Sequence, residues 1–201
     1  MSTNNMNISG IVLAGGLGRR MGGVDKGLMP FAGKPMIAHV LERLRPQVDE
    51  IIISANREIG RYAAYGFPVI ADEIKGYAGP LAGLHRGMCM AQHPLLLSVP
   101  CDSPLLPADL AGRLLKALQE NGADLALART GNRTHPVFCL CRSSLKDHLY
   151  HYLQADGRKM SDWHDTLKVV EVSFDDEPQA FANINTPEEL ESVQHQHRPP
   201  D

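Results

Sequence analysis

Between Leu13 and Lys26 the chain reads LAGGLGRRMGGVDK, with five glycines, the adjacent Arg19 and Arg20, and Lys26 in one short segment directly after the apolar run ISGIVLA (8–14). Glycines let a backbone take up positive φ and come close to a ligand, so that several N–H groups can converge on an anion. The candidate donors are the N–H groups of Leu13, Ala14, Gly15 and Gly16, and Arg19, Arg20 and Lys26 add full positive charge. A flexible solvated loop accounts for the glycines but not for three cations beside them. The segment reads as a grip for phosphate.

Two familiar grips do not fit the spacing. The Walker A pattern needs a glycine, a lysine and then a hydroxyl residue, whereas Lys26 follows Asp25 and precedes Gly27. The dinucleotide fingerprint GxGxxG finds Gly16 and Gly18, but Met21 holds the third position and two arginines stand where a helix should start.

Carboxylates recur at the ends of apolar runs. Asp102, in LLLSVPCDSP, suits a magnesium ion, which keeps several waters and takes one or two protein carboxylates plus substrate phosphates; capping the turn into Pro104 is an equal alternative. Asp72, in VIADE, is a reasonable acceptor for ribose hydroxyls or base N–H groups, with Glu73 beside it as a competitor, and Asp25 either faces the ligand or orients Lys26. GPLAG (79–83) puts small residues around a helix start, where unpaired N–H groups favour an anion or a base edge; close helix–strand packing explains Gly79 and Gly83 equally well.

These residues need a scaffold that gathers them. Strands are expected at 8–14, 48–55, 68–72, 94–100, 123–129, 135–141 and 168–174. Helices are expected at KPMIAHVLERLRPQ, at GPLAGLHRGMCMAQ, at PADLAGRLLKALQEN with Pro107 near its first turn, at SSLKDHLYHYLQ and at TPEELESVQ, the last capped by Thr186 with Glu189 three residues on. Strand and helix alternating, with strands continuously apolar, predict a single Rossmann-like three-layer α/β/α domain on a mainly parallel, mixed sheet. In such a sheet ligands sit beyond the carboxyl ends of the strands, where the glycine loop, Asp72 and Asp102 all fall.

The segment LAGGLGRRMGGVDK resembles the signature of nucleotidyltransferases that join a nucleoside triphosphate to a phosphorylated acceptor, broadly LAGGxxxRMGxxK, and within that superfamily the chain is similar to the molybdenum cofactor guanylyltransferases. Matches continue in order at ANR (55–57), ADE (71–73), YAGPLAG (77–83), PCDSP (100–104), HP (135–136) and NINTPEEL (183–190), spanning nearly the whole chain. The resemblance implies a nucleotidyltransferase-type fold and transfer of GMP from GTP to the terminal phosphate of molybdenum-loaded molybdopterin. It assigns Lys26, Arg20 and Asp102 to catalysis and Asp102 to the metal, Mg²⁺. GTP would be held by Leu13, Ala14, Gly15, Gly16, Lys26, Asp72, Gly79, Gly83 and Asp102. Asn56 is favoured as a further nucleotide contact over Ser54, which stands where relatives can carry asparagine.

For the acceptor, Asn183 and Asn185 alternate on an extended segment, so both amides point to one side and can read a polar heterocycle such as a pterin; Asn185 also fits the end of a strand. Arg158 is assigned to the acceptor phosphate, with Lys159 beside it. His135 could face the site or pack as a structural histidine, and His148 and His151 share a helical face without a third ligand. A cytidylyltransferase acting on the same pterin or on a sugar or polyol phosphate is the alternative, as is a nucleotide-binding protein that delivers cofactor without chemistry. LAGG and YAGPLAG resemble the guanine-using branch.

Composition bounds the rest. At 201 residues and 43% hydrophobic content, one domain over 1–194 fits, with 195–201 expected to fray and its His195 and His197 solvated. A net charge of −3 gives no overall field for nucleic acid, so phosphate binding must be local. Cys89, Cys101, Cys139 and Cys141 lack CxxC spacing and read as reduced, half-buried thiols, with Cys139 and Cys141 on one strand face. No run is long enough to span a bilayer and the start lacks the features of a secretory signal, so a cytoplasmic protein is expected. The expected state is a monomer or weak homo-oligomer that could dock with proteins of molybdenum cofactor biosynthesis or with those that mature recipient molybdoenzymes.

Overall fold

The computed structural model describes residues 7–15, 25–73 and 79–181. Nine strands are described: β1 (Ile8–Leu13), β2 (Pro30–Phe31), β3 (Lys34–Pro35), β4 (Glu50–Ser54), β5 (Val69–Ile70), β6 (Leu95–Pro100), β7 (Leu125–Thr130), β8 (Arg133–Arg142) and β9 (Val169–Ser173). The described helices are α1 (Met36–Leu44), α2 (Ile59–Ala63), α3 (Pro80–Met90), α4 (Leu110–Asn121), α5 (Lys146–Gln154) and α6 (Met160–His164). Seven strands form one sheet in the order β5-β4-β1-β6-β8-β7-β9. Only β8 runs against its neighbours, so the sheet is mainly parallel and mixed, as expected.

Side-chain alternation along the strands divides the core between the two faces. Ile8 and Val12 of β1 pack with Ile37, Val40 and Leu44 of α1 and Leu110, Leu114 and Leu118 of α4. Ile11, pointing the other way, packs with Leu81, Leu84 and Met88 of α3, Leu149 and Leu153 of α5, and Trp163 of α6. A strand covered on both faces is apolar at most positions, which is why β1 and β6 read as hydrophobic runs broken only by Ser9, Gly10 and Ser98. Cys139 and Cys141 share the second face and are fully buried; Cys101 is buried and Cys89 exposed, so none of the four is half-buried.

Several boundaries differ from the sequence reading. Lys34 and Pro35 belong to a hairpin with β2, turned by Ala32 (φ 44°) and Gly33 (φ 85°), and α1 begins after Pro35. Pro46, with no N–H to donate, lies in a 3₁₀ turn that ends that helix. Pro107 precedes α4 by three residues instead of entering its first turn. The edge strand β5 shrinks to two residues because the next available amide is diverted: Asp72 N donates to Asn56 Oδ1 at 2.9 Å. The helix expected after Thr186 lies outside the described residues. Among the described residues no helix is long and apolar enough to cross a membrane.

Candidate active site

The sheet order creates the site. The crossover after β1 leads through α1 to β4 on one flank, and the crossover after β6 leads through α4 to the other flank. Where neighbouring parallel strands send their connections in opposite directions, a crevice opens beyond their carboxyl ends. The loop after β1 begins there with Ala14 and Gly15, and β6 ends there in Pro100, Cys101 and Asp102. Two backbone bonds prolong the ladder past the strands: Ala14 N donates to Ser54 O at 2.8 Å, and Cys101 N donates to Leu13 O at 3.2 Å. The Ala14 amide is therefore engaged within the sheet.

Lys26 and Asp102 face each other across this crevice, with Lys26 Nζ 3.6 Å from Asp102 Oδ2 and their side chains 24% and 13% exposed. Burial raises the Asp102 pKa above the usual carboxylate value, and Lys26 partly offsets that rise. A desolvated carboxylate with one ammonium partner still carries acceptor capacity for a further cation, so the donor chemistry of Asp102 fits a hard divalent ion.

On the β4 side, Asn56 clamps Asp72 twice: its Nδ2 donates to Asp72 Oδ2 at 2.7 Å while its Oδ1 accepts from Asp72 N. The other carboxylate oxygen, Asp72 Oδ1, is buried and has no hydrogen-bond partner among the described residues, leaving an acceptor oriented by the clamp. Gly15 borders the same pair, for a Cβ there would lie 3.2 Å from Asn56 Nδ2. Glu73 is occupied elsewhere, in an ion pair with Arg86 of α3 at 3.0 Å, which separates the roles of the adjacent carboxylates.

Gly79 caps α3 with φ 64° and ψ −152°, a conformation that only glycine adopts without strain, and Pro80 follows in the first turn. Gly83 and Gly87 let the helix lie close on the sheet. A Cβ at Gly83 would meet Ser54 Oγ at 2.6 Å and Leu13 Cδ2 at 2.9 Å, and one at Gly87 would meet Ile11 Cδ1 at 2.3 Å. Gly83 thus packs closely on the sheet, and Ser54 is buried beneath it, whereas Asn56 is the polar residue of that segment brought beside Gly15.

The remaining candidates fall elsewhere. The Arg158 guanidinium donates to Leu153 O at 2.9 Å and Gly157 O at 2.8 Å and pairs with Asp156, closing the end of α5, and Lys159 pairs with Asp162 at 3.9 Å. These partners all lie within five residues of Arg158 or Lys159 in the chain. His135 is a packed histidine, with Nε2 2.8 Å from Thr130 Oγ1 and its ring stacked on Phe181 at 4.7 Å; burial lowers its pKa. His148 Nδ1 accepts from Trp163 Nε1. Gly16, Arg19, Arg20, Asn183 and Asn185 lie outside the described residues.

Sequence reasoning missed Tyr62. It is fully buried on α2, and its Oη donates to Asp25 Oδ1. The only signal lay at the other end of the contact, in the glycine after Lys26: a Cβ on Gly27 would meet Tyr62 Oη at 2.7 Å and Cys101 Sγ at 3.0 Å.

A mixed α/β sheet with Gly15, Lys26 and Asp102 at its switch point has the architecture of a nucleotidyltransferase, and the comparisons with known proteins show that class. Residues 10–168 match the MobA-like NTP transferase domain. The chain is 47% identical to a molybdenum cofactor guanylyltransferase of Shewanella sediminis over 189 residues, covering 94% of this chain and 96% of that protein. It is 48% identical to a molybdenum cofactor guanylyltransferase of Ralstonia nicotianae, covering 93% of this chain and 96% of that one. Among solved structures, the molybdopterin-guanine dinucleotide biosynthesis protein A of Archaeoglobus fulgidus superposes with a TM-score of 0.79 at 26% identity, covering 94% of this chain and 97% of that one. The chain belongs to the MobA-like NTP transferase family.

Proposed function

We infer that this protein transfers GMP from GTP to the terminal phosphate of molybdenum-loaded molybdopterin, giving molybdopterin guanine dinucleotide and pyrophosphate. The observation that carries this reading is the pair Lys26 and Asp102 at 3.6 Å across the switch-point crevice beyond β1 and β6. The names of relatives alike over nearly the full chain support guanine and the pterin as the partners in transfer.

The bond changes are simple. An oxygen of the acceptor phosphate bonds to the α-phosphorus of GTP, the α–β bridging bond breaks, and pyrophosphate leaves with that electron pair. The attacking phosphate is already ionised at neutral pH, so the protein needs no strong base and contributes position and charge. Lys26 neutralises charge on the phosphate chain, and Arg20 is assigned the same task. Gly15 admits close approach of the nucleotide, while Asp72 Oδ1, held by Asn56, accepts from a ribose hydroxyl or base N–H. Asp102 would hold Mg²⁺, which supplies charge neutralisation on phosphate oxygens when bound. Asn183, Asn185 and Arg158 are the proposed acceptor contacts; for Arg158 that role requires it to leave its present carbonyl partners.

The test is isotopic. With GTP labelled at the α-phosphate, label should enter the dinucleotide product, and with GTP labelled at the γ-phosphate it should leave as pyrophosphate. Release of γ-label as inorganic phosphate alone would overturn the reading.

A further inference from the structure

Lys26 has four rotatable side-chain bonds and ends in a point charge, so its useful position depends on how firmly its backbone is held. Its two chain neighbours are both fixed. On one side, Asp25 is 8% exposed and its carboxylate accepts from Tyr62 Oη and from the Gly27 amide. Its carbonyl accepts from Leu28 N at 3.1 Å, while that of Lys26 accepts from Met29 N at 3.1 Å, closing the 3₁₀ turn Lys26–Leu28. On the other side, Gly27 is wedged between Tyr62 Oη and Cys101, the residue that precedes Asp102.

Tyr62 is therefore joined to Asp25, the residue before Lys26, and through the Gly27 wedge to Cys101, the residue before Asp102. It stands on α2, which begins three residues after Asn56 in the chain. A buried hydroxyl given to a buried carboxylate is a charge-assisted bond, stronger than a neutral one and stringent in geometry. A tyrosine serving only the core could spend its hydroxyl on any acceptor; this one is spent on the residue before the lysine.

We propose that Tyr62 is a positioning residue for the transfer reaction, fixing Lys26 through Asp25 and the Gly27 wedge. The proposal rests on the reading of Lys26 as the cation that neutralises the phosphate chain. The test compares wild type, Tyr62→Phe, Lys26→Ala and the double variant by pyrophosphate release at saturating GTP and molybdenum-loaded molybdopterin, with near-ultraviolet circular dichroism confirming the fold. Tyr62→Phe is expected to lower kcat roughly tenfold with KM for GTP changed less than about twofold, since small misplacements of a catalytic group cost up to about 10²-fold. In the Lys26→Ala background the same change should cost less than about twofold, because there is no lysine left to misplace.

Equal losses in both backgrounds would make Tyr62 a structural residue and overturn the proposal. So would wild-type kcat in Tyr62→Phe while Lys26→Ala is impaired. Wild-type turnover in Lys26→Ala would instead overturn the role given to Lys26, and the proposal with it. If Tyr62→Phe does not fold, Asp25→Asn takes its place, with the same non-additivity with Lys26→Ala expected and additive losses overturning the proposal.

Discussion

Asp102 carries two opposed demands. Burial raises its pKa above the unfolded value and Lys26 opposes that rise, so folding penalises the charged form. For a group raised in this way, the favourable contribution to stability is fully present below the unfolded pKa and is lost as pH rises through the folded pKa. Asp102→Asn, studied with a chelator present, should therefore melt above wild type at pH 7, and the gap should close as pH falls into the range where Asp102 takes up its proton. Turnover should fall at least about 10²-fold, as for loss of a preorganised charged group. Melting below wild type at pH 7 would mean that the bond to Lys26 outweighs burial. The meeting of Asp102 with Lys26 was foreshadowed in the sequence, because a carboxylate and a lysine at the ends of apolar runs are unusual where they stand. Tyr62 was not, for nothing near it in the chain indicates a carboxylate 37 positions away.

At the scale of elements, α3 is seated by what its glycines lack. Gly83→Ala places a methyl group against Ser54 Oγ at 2.6 Å, lifting the end of the helix that borders the crevice. Overpacking of this kind costs about 1–3 kcal/mol, and Ser54→Ala in the same chain should recover part of it in thermal melts. Additive destabilisation by the two changes would remove Ser54 as the obstacle. The hairpin gives an independent case: Ala32 sits exposed at φ 44° in a two-residue turn that favours asparagine before glycine. Ala32→Asn should stabilise the protein by about 0.5–1 kcal/mol in urea titrations, since asparagine tolerates the left-handed region where alanine is strained. Both elements show the limit of sequence reading. The α3 pattern was plain, yet the close packing of Gly83 depended on what lay beneath it. The hairpin and the five-residue helices α2 and α6 are too short to establish a period.

For the whole molecule, the sequence shows a mainly parallel sheet because its strands are apolar on both faces, but it does not show strand order. The reversed β8 and the return of β6 to the side of β1 opposite β4 are facts of topology, and the return makes the crevice. Once that order is in place, residues from three separate stretches, at Gly15, Asn56 and Asp102, stand at one edge without further adjustment. The match to MobA-like transferases over 10–168 agrees with that arrangement. Activity then depends on which triphosphate the edge accepts and on the lysine that meets it. The most direct measurement is pyrophosphate release by the purified protein with Mg²⁺ and molybdenum-loaded molybdopterin, offering GTP, CTP and ATP separately to wild type and Lys26→Ala. Release with GTP alone, reduced about 10²–10³-fold in the folded variant, is the expected result. Preference for CTP, or no release with any of the three, would contradict it.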